Sequence, residues 1–326
     1  MKITNLHGVS LPLAVWLLTD DYDYVSDPKY ISATTLLKST KQIVLGRRVV
    51  SADREMDVSD RIAAVMGHSM HDSIEKAWKF NSQKALKQLG YPDDVINRIV
   101  INPREGDFLL NKNLIPLYIE KRAYREIAGY KIGGKLDMLM DGRLFDFKTT
   151  SVWTYLKGRK DEDFAMQGSI YRWLNPEDVT EDHVHIQFIF TDWQRAMIKS
   201  NPEYPKIKLL DYPVEMHSIE DTEAFIVKKL NELSRLWSAP ESQIPECTDK
   251  ELWRSEPQYR YFADAEKAKD PTARSSKNFD TKHDADAHMA SKGGKGVVIM
   301  KPGEVKACEY CPAFDICEQR KQYFAE

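Results

Sequence analysis

The sequence predicts an α/β chain, and three stretches carry that prediction. From Ser59 to Leu89 apolar residues recur at helical spacing (Ile62, Val65, Met66, Met70, Ile74, Ala77, Trp78), and Gly90 marks the end of the run. From His183 to Thr191 the pattern changes to alternation. Val184, Ile186, Phe188 and Phe190 fall on one side and His183, His185 and Gln187 on the other, as in a half-buried strand. Between these stretches, two apolar runs flank Asp141-Gly142, the dipeptide suited to a tight hairpin turn with positive φ.

The other elements follow in chain order. Residues 1–30 hold a short apolar segment, Leu11–Leu18, and an Asp/Tyr-rich loop ending near Pro28. Ser32 is placed to cap a helix that starts Ala33-Thr34-Thr35-Leu36, because its hydroxyl accepts from an amide that has no intrahelical partner. Gln42 to Arg48 carries a small basic cluster, Arg47 and Arg48, which reads equally as a solvated helix end or a phosphate contact. Tyr91-Pro92-Asp93 starts a short helix to about Val100. Pro116–Arg125 and Ile127–Ile132 read as two strands ahead of the hairpin. Val152 to Lys160 reads as a loop with Lys157, Arg159 and Lys160. Asp163–Leu174 is helical, with Gln167 and Tyr171 on one face, and stops at Asn175-Pro176, since a residue before proline is driven out of the helical region. Ile207–Val214 is a strand, and Ser218 with Asp221 resembles a capping box for a helix to about Trp237. Near Pro240 the composition changes: residues 245–326 hold all four cysteines, a glycine-rich turn at Gly293-Gly294-Lys295-Gly296, a short strand Val297–Met300 and a Pro302-Gly303 turn. The chain is thus read in three segments, 1–58, 59–240 and 241–326.

A length of 326 residues allows one large domain or two, and 42% apolar with 30% charged residues is ordinary for a globular protein. The net charge of −3 gives no global attraction to nucleic acid, so a DNA partner requires a local basic surface. No apolar run approaches the roughly 20 residues that span a bilayer. Leu11–Leu18 is followed by Thr19-Asp20-Asp21 and not by a small-residue cleavage site. These features predict an intracellular protein without a membrane role, in which cysteines are metal ligands or buried thiols more often than disulfides.

Gly133-Gly134-Lys135-Leu136-Asp137 leads into the hairpin and Asp146-Phe147-Lys148-Thr149-Thr150 leads out of it. The turn brings Asp137 near Asp146, and Lys148, two residues on, leaves the same face of its strand as Asp146. Two carboxylates that close repel unless a hard cation lies between them. A lysine beside that cation orients a water or steadies negative charge growing on a phosphate. A D-x-K tripeptide alone is a weak signal, because Asp and Lys are common on solvated hairpin faces. On the long helix, Gly67, His71 and Glu75 share one face at i, i+4, i+8. A mid-helix glycine costs about 1 kcal/mol against alanine, which asks for a reason such as close backbone approach. A lone histidine such as His71 is more often structural than a ligand, and paired histidines on a strand's polar face, His183 and His185, are usually solvated.

Cys308-x-x-Cys311-Pro312 is followed after five intervening residues by Cys317, and Cys247 lies some sixty residues upstream. Three clustered thiols plus one distant thiol make a four-thiolate site suited to zinc or an iron–sulfur cluster. Such a site clips the chain's end onto an earlier segment and couples metal binding to folding. Zinc sites more often pair two short knuckles, so the wide spacing favours a [4Fe-4S] cluster over structural Zn²⁺.

Together these motifs resemble the RecB-like branch of the PD-(D/E)XK nucleases, especially small phage-encoded members. Gly67-x-x-x-His71 looks like the helix that supplies a histidine ligand, Gly134-Lys135-Leu136-Asp137 like the first catalytic aspartate, Asp146-Phe147-Lys148 like the (D/E)-x-K element, and Gln167-x-x-x-Tyr171 like the motif on the flanking helix. Cys308, Cys311 and Cys317 look like the iron–sulfur motif of AddB-type and CRISPR-adaptation nucleases, although there the lone cysteine precedes the core and Cys247 follows it. The resemblance implies a restriction-endonuclease-like core over 59–240, a mixed β-sheet flanked by helices, and a cysteine-clamped C-terminal region. It implies Mg²⁺ or Mn²⁺ held by His71, Asp137, Asp146 and the backbone carbonyl of Phe147. Lys148 then positions the water or stabilises the transition state, Gln167 and Tyr171 align the strand or brace Lys148, Glu75 and Glu120 stand in the outer shell, and Arg47, Arg48, Lys157, Arg159 and Lys160 are candidate DNA phosphate contacts. The implied activity is a DNA exonuclease that resects ends in phage recombination or genome processing, in the bacterial host's cytoplasm, beside a recombination or replication protein. An endonuclease of the same fold, or a non-catalytic DNA-binding scaffold with a structural metal cluster, are the alternatives.

Overall fold

A computed structural model of the chain describes residues 2–20, 23–49, 55–158, 160–270 and 272–324. Its elements run β1 (Lys2–Thr4), α1 (Leu11–Leu18), β2 (Tyr30–Ser32), α2 (Ala33–Leu36), α3 (Thr40–Gly46), β3 (Glu55–Asp57), α4 (Ile62–Gln88), α5 (Asp93–Ile96), β4 (Ile99–Ile101), α6 (Glu105–Leu110), β5 (Ile115–Ile127), β6 (Tyr130–Met140), β7 (Arg143–Thr150), α7 (Val152–Lys157), α8 (Asp161–Leu174), β8 (His183–Phe190), β9 (Leu209–Glu215), α9 (Ile219–Leu236), β10 (Gln258–Phe262), β11 (Lys277–Phe279), α10 (Lys282–Ser291) and β12 (Val297–Lys301). The chain forms two compact units, one of residues 1–37 and 50–234 and the other of 38–49 and 235–326. Residues 38–49 therefore group with the cysteine-rich end and not with their sequence neighbours. Among the described residues no helix is long and apolar enough to cross a membrane.

The first unit is built on a seven-stranded mixed sheet in the order β4-β5-β6-β7-β8-β9, with β2 added to β6. β4 with β5, β7 with β8 and β2 with β6 are parallel, and the remaining pairs are antiparallel. This is the α/β class expected, a mixed sheet flanked by helices. The predicted hairpin is β6–β7: Asp141 and Gly142 have φ of 48° and 82°, the left-handed pair such a turn requires. Helix α4 lays Ile74 and Trp78 on Leu117, Ile119 and Met138 of the sheet, joined by Phe145 and Phe147 of β7. Helix α8 packs on the sheet through Gly168, where a Cβ would come within 2.7 Å of Val184.

Four local expectations change. Residues 152–157 are helical and not a loop, because the Ser151 hydroxyl caps the Trp153 amide and Tyr155 packs against Phe188, Phe190 and Tyr212. The helix after Pro92 stops at Ile96, and the β-branched run Ile99-Val100-Ile101 joins the sheet beside β5. The strand read at 127–132 is the turn and first part of β6, with Ala128 and Gly129 at positive φ. Gly67 does not answer to close backbone approach, since a Cβ added there meets no described atom within 4 Å.

In the second unit, β11-β10-β12 form an antiparallel sheet, and His288 of α10 contacts the rings of Tyr261 and Phe279. Only its third strand was legible in the sequence. Arg48 donates to the carbonyls of Leu236, Trp237 and Ala239, and the Arg47 guanidinium lies 3.9 Å from the Trp237 ring centre. Both arginines, candidate phosphate contacts by sequence, are thus engaged within this unit. They cap and brace the chain that follows α9.

Candidate metal centre

The β6–β7 ladder pairs Met138 with Phe145 and goes no further toward the strand ends. The amide of Phe147, released by that divergence, donates to Asp137 Oδ2 at 2.9 Å. A carboxylate replaces a backbone acceptor where the sheet opens. Across β6, the β5 ladder skips Glu120, between the Ile119–Met138 and Lys121–Leu136 pairs. Glu120 has φ of 54°, a left-handed conformation that costs a non-glycine residue on the order of 1–3 kcal/mol. Its neighbour is held from the far side: Asn102 Oδ1 accepts the Ile119 amide at 2.8 Å and its Nδ2 donates to the Ile119 carbonyl at 3.3 Å. The kink aims Glu120 inward, where it also pairs with Lys135.

His71 of α4 completes the group. Its Nε2 donates to the Phe147 carbonyl at 3.0 Å, and its Nδ1 lies 3.5 Å from Asp137 Oδ1. Donor atoms of His71, Glu120 and Asp137 all lie within 4.8 Å of one another. Glu120, expected in the outer shell, stands in this trio. Asp146, expected as a ligand, is 3% exposed and turns its oxygens elsewhere. Oδ1 accepts from Gln167 Nε2 at 3.2 Å and Oδ2 lies 2.7 Å from Lys148 Nζ. Gln167 also donates to the Tyr171 hydroxyl at 3.1 Å. Glu75 is paired with Lys79 and lines a small cavity with His71, Glu120 and Asp137.

The electrostatics follow from the packing. Burial pushes the Asp137 carboxyl up, but the His71 contact, the Lys148 charge and the Phe147 amide outweigh it and hold it below its usual range. Burial dominates at Asp146 and, with the Asp137 charge, raises it despite Lys148. Burial works against the charge on Lys148, yet Asp146 and Asp137 hold its pKa above the ordinary lysine value. Burial likewise opposes the charge on His71, and Asp137 reverses it to a net rise. The packing thus favours the charged form at Asp137 and opposes it at Asp146, whose main offset is the Lys148 ammonium.

These residues open into one cavity of about 390 Å³ lined by His71, Glu120, Lys135, Asp137, Asp146, Lys148, Gln167 and Tyr171. Trp16, Asp20, His68 and Asp72 line it too, and sequence reasoning missed them. His68 and Asp72 repeat at i, i+4 one residue to the side of the Gly67–His71 pair, a signal that was present. Trp16 had none, being one apolar residue in an apolar run. Lys157 ends α7 and Lys160 precedes α8, neither lining this cavity, and Arg159 lies outside the described residues.

Both glycines of Gly133-Gly134 are needed for space. A Cβ on Gly133 would lie 2.5 Å from the Tyr30 ring, and one on Gly134 would lie 2.6 Å from the Tyr171 ring. Gly134→Ala is therefore expected to lower stability by about 1–3 kcal/mol and to push Tyr171 off Gln167. Thermal unfolding checks this, and an unchanged melting temperature would mean that Tyr171 is not seated on Gly134.

In the second unit the four cysteines line a single cavity of about 30 Å³ with Lys41, Leu252 and Phe314. Cys311 and Phe314 close successive turns, Cys311 N–H to Cys308 O at 3.0 Å and Phe314 N–H to Cys311 O at 3.1 Å. Gln319 secures the remote partner: its amide accepts from the Cys247 N–H at 2.8 Å and donates to the Cys247 carbonyl at 3.0 Å. Ser39, cap of α3, places its Oγ 3.2 Å from Cys247 Sγ. Burial and the neighbouring cysteines push the Cys308 thiol up to about 11 and raise Cys247. Thiols that disfavour their own ionisation this way, drawn to one cavity, suit a bound cationic centre that would supply the missing charge.

No family model matches the sequence, and no curated protein matches it. Among solved structures the chain is similar to the crystal structure of SSO0001, at 17% identity and a TM-score of 0.38 over 70% of this chain and 90% of that one. It is also similar to the crystal structure of a phage-related exonuclease from Haemophilus somnus 129PT, at 13% identity and a TM-score of 0.27 over 63% of this chain and 92% of that one. What the cavity can do follows from its own residues.

Proposed function

We propose that the chain is a divalent-cation-dependent DNA exonuclease of the PD-(D/E)XK type. The observation that carries this is the convergence, in one cavity, of a His71–Glu120–Asp137 donor trio with a buried Asp146–Lys148 pair. One imidazole and two carboxylates fit Mg²⁺ or Mn²⁺. When bound, that cation polarises a phosphate oxygen and makes a water nucleophilic near neutral pH.

The protein's own groups do the rest. The Phe147 carbonyl fixes the His71 ring through Nε2 and leaves Nδ1 on the Asp137 side, so this carbonyl, expected as a ligand, serves to orient the histidine instead. Asp146 holds the Lys148 ammonium at 2.7 Å, and Gln167, braced by Tyr171, fixes the other Asp146 oxygen. Lys148 is thereby a preset cation beside the cavity, able to orient a water or offset charge gathering on the phosphate without reorganising. Lys135, paired with Glu120, adds a second cation. In the second unit the four thiols would hold a [4Fe-4S] cluster, with Zn²⁺ the alternative, and the group would act by stabilising the fold.

Anaerobically purified protein, given Mg²⁺ or Mn²⁺, should shorten end-labelled linear DNA, leave a covalently closed circle intact and stop on chelation. Cleavage of the circle would make it an endonuclease. Binding without cleavage in either cation would reduce it to a DNA-binding scaffold.

A further inference from the structure

The cavity has walls of different chemistry. β6 and β7 supply Asp137, Asp146 and the cations Lys135 and Lys148, with Glu120 beside them from β5. The wall from α1 supplies an indole, Trp16, and the residues just after that helix, Thr19 and Asp20. Helix α1 is pinned by Leu17, 3% exposed in a cluster with Val58 and Val65 at the start of α4. One residue along, about 100° round the helix, Trp16 is left 37% exposed at the cavity. Asp20, paired with Arg61 at 3.3 Å, and Asp72 of α4 line the same space.

Carboxylates around an indole repel a phosphate and accept from exocyclic amino groups. The β6–β7 side, where Lys135 and Lys148 offset Glu120 and Asp146 and the donor trio would hold the cation, favours the phosphate. A cavity of 390 Å³ is of the size that takes one drug-sized ligand and not a duplex about 20 Å across. We infer that Trp16 forms a nucleobase subsite, on which the unpaired base next to the scissile phosphate stacks, so that the enzyme acts on single-stranded ends. This rests on the nuclease reading for the phosphate side only.

The test is a cycle between protein and DNA, read by anisotropy of labelled oligonucleotides in EDTA, with wild type, Trp16→Ala and Trp16→Phe. Circular dichroism confirms each fold. Trp16→Ala should weaken binding of a single strand about 5- to 150-fold, the range for one stacked base, and Trp16→Phe should restore most of it. Abasic nucleotides at the end should weaken wild type by a similar factor and Trp16→Ala hardly at all. In the cleavage assay with Mg²⁺ or Mn²⁺, Trp16→Ala should raise KM and leave kcat within about threefold. Equal losses by Trp16→Ala on intact and abasic strands would overturn the subsite, as would tight binding of a blunt duplex in preference to a single strand. Wild type that binds strands with the stacking signature but never cleaves would overturn the nuclease reading and leave the subsite standing.

Discussion

Lys148→Ala should lower the rate of DNA cleavage by at least about 10²- to 10³-fold, the range for losing one preset charge at a developing anion. The ammonium is held 2.7 Å from Asp146 and stays charged because Asp146 and Asp137 outweigh the burial that opposes it. Alanine removes that charge and leaves the buried Asp146 carboxyl without its cation. Burial already works against the Asp146 charge, and the variant removes its largest offset, so the Gln167 contact is weakened as well. A stability cost of about 3 kcal/mol is expected as well. Lys148→Met, which keeps most of the packing, should lose the same activity with a smaller fall in melting temperature. Single-turnover rates on an end-labelled single strand, beside thermal unfolding, separate the two effects. Activity within tenfold of wild type in both variants would remove Lys148 from the chemistry.

Cys308→Ser and Cys311→Ser should each strip the iron–sulfur or zinc centre proposed for the second unit and lower its melting temperature by about 10 °C or more. The four thiols share one cavity of about 30 Å³, so losing one of them leaves a centre held there short of a ligand. Burial and mutual repulsion keep Cys308 protonated up to about 11 when no cation is present. Metal binding in such a site is folding free energy, of order 10 kcal/mol in small thiolate domains, and losing even ~4 kcal/mol shifts a domain of this size by that much. Iron, sulfide and zinc analysis of anaerobic protein, with visible absorbance, reads the group directly. Zinc in a colourless protein would replace the cluster, and wild-type melting in both variants would show that no group is bound there. Gln319→Ala should have a milder effect of the same sign, since Gln319 ties the Cys247 backbone in both directions.

What was legible in the sequence is what local chemistry encodes. The hairpin turn was legible because Asp141-Gly142 is cheap at positive φ, and the caps at Ser32 and Ser218 because a hydroxyl two or three residues ahead of free amides has one obvious use. His71, Asp137, Lys148, Gln167 and Tyr171 could be named because the motifs they sit in, taken in order, resemble those of a known nuclease family; spacing alone put only Lys148 with Asp146 and Gln167 with Tyr171 on shared faces. Their meeting in one cavity is a fact of packing. Helix α7 was not legible because its reason, Tyr155 on a cluster of rings from β8 and β9, lies more than thirty residues away.

By itself the sequence determined the class of fold, the turn between the two aspartates and the set of groups able to hold a cation and a thiolate centre. Periodicity, glycine and capping act over a few residues, so they can be read along the chain. Only the tertiary structure decided which groups meet. It turned Asp146 toward Lys148 and Gln167, and it brought Glu120 into the trio by a strained residue braced from Asn102. It also carried Trp16 from the N-terminal helix to the cavity and grouped residues 38–49 with the cysteines. These choices depend on where the β6–β7 ladder ends and which side chains bury together, and no local run of residues specifies either.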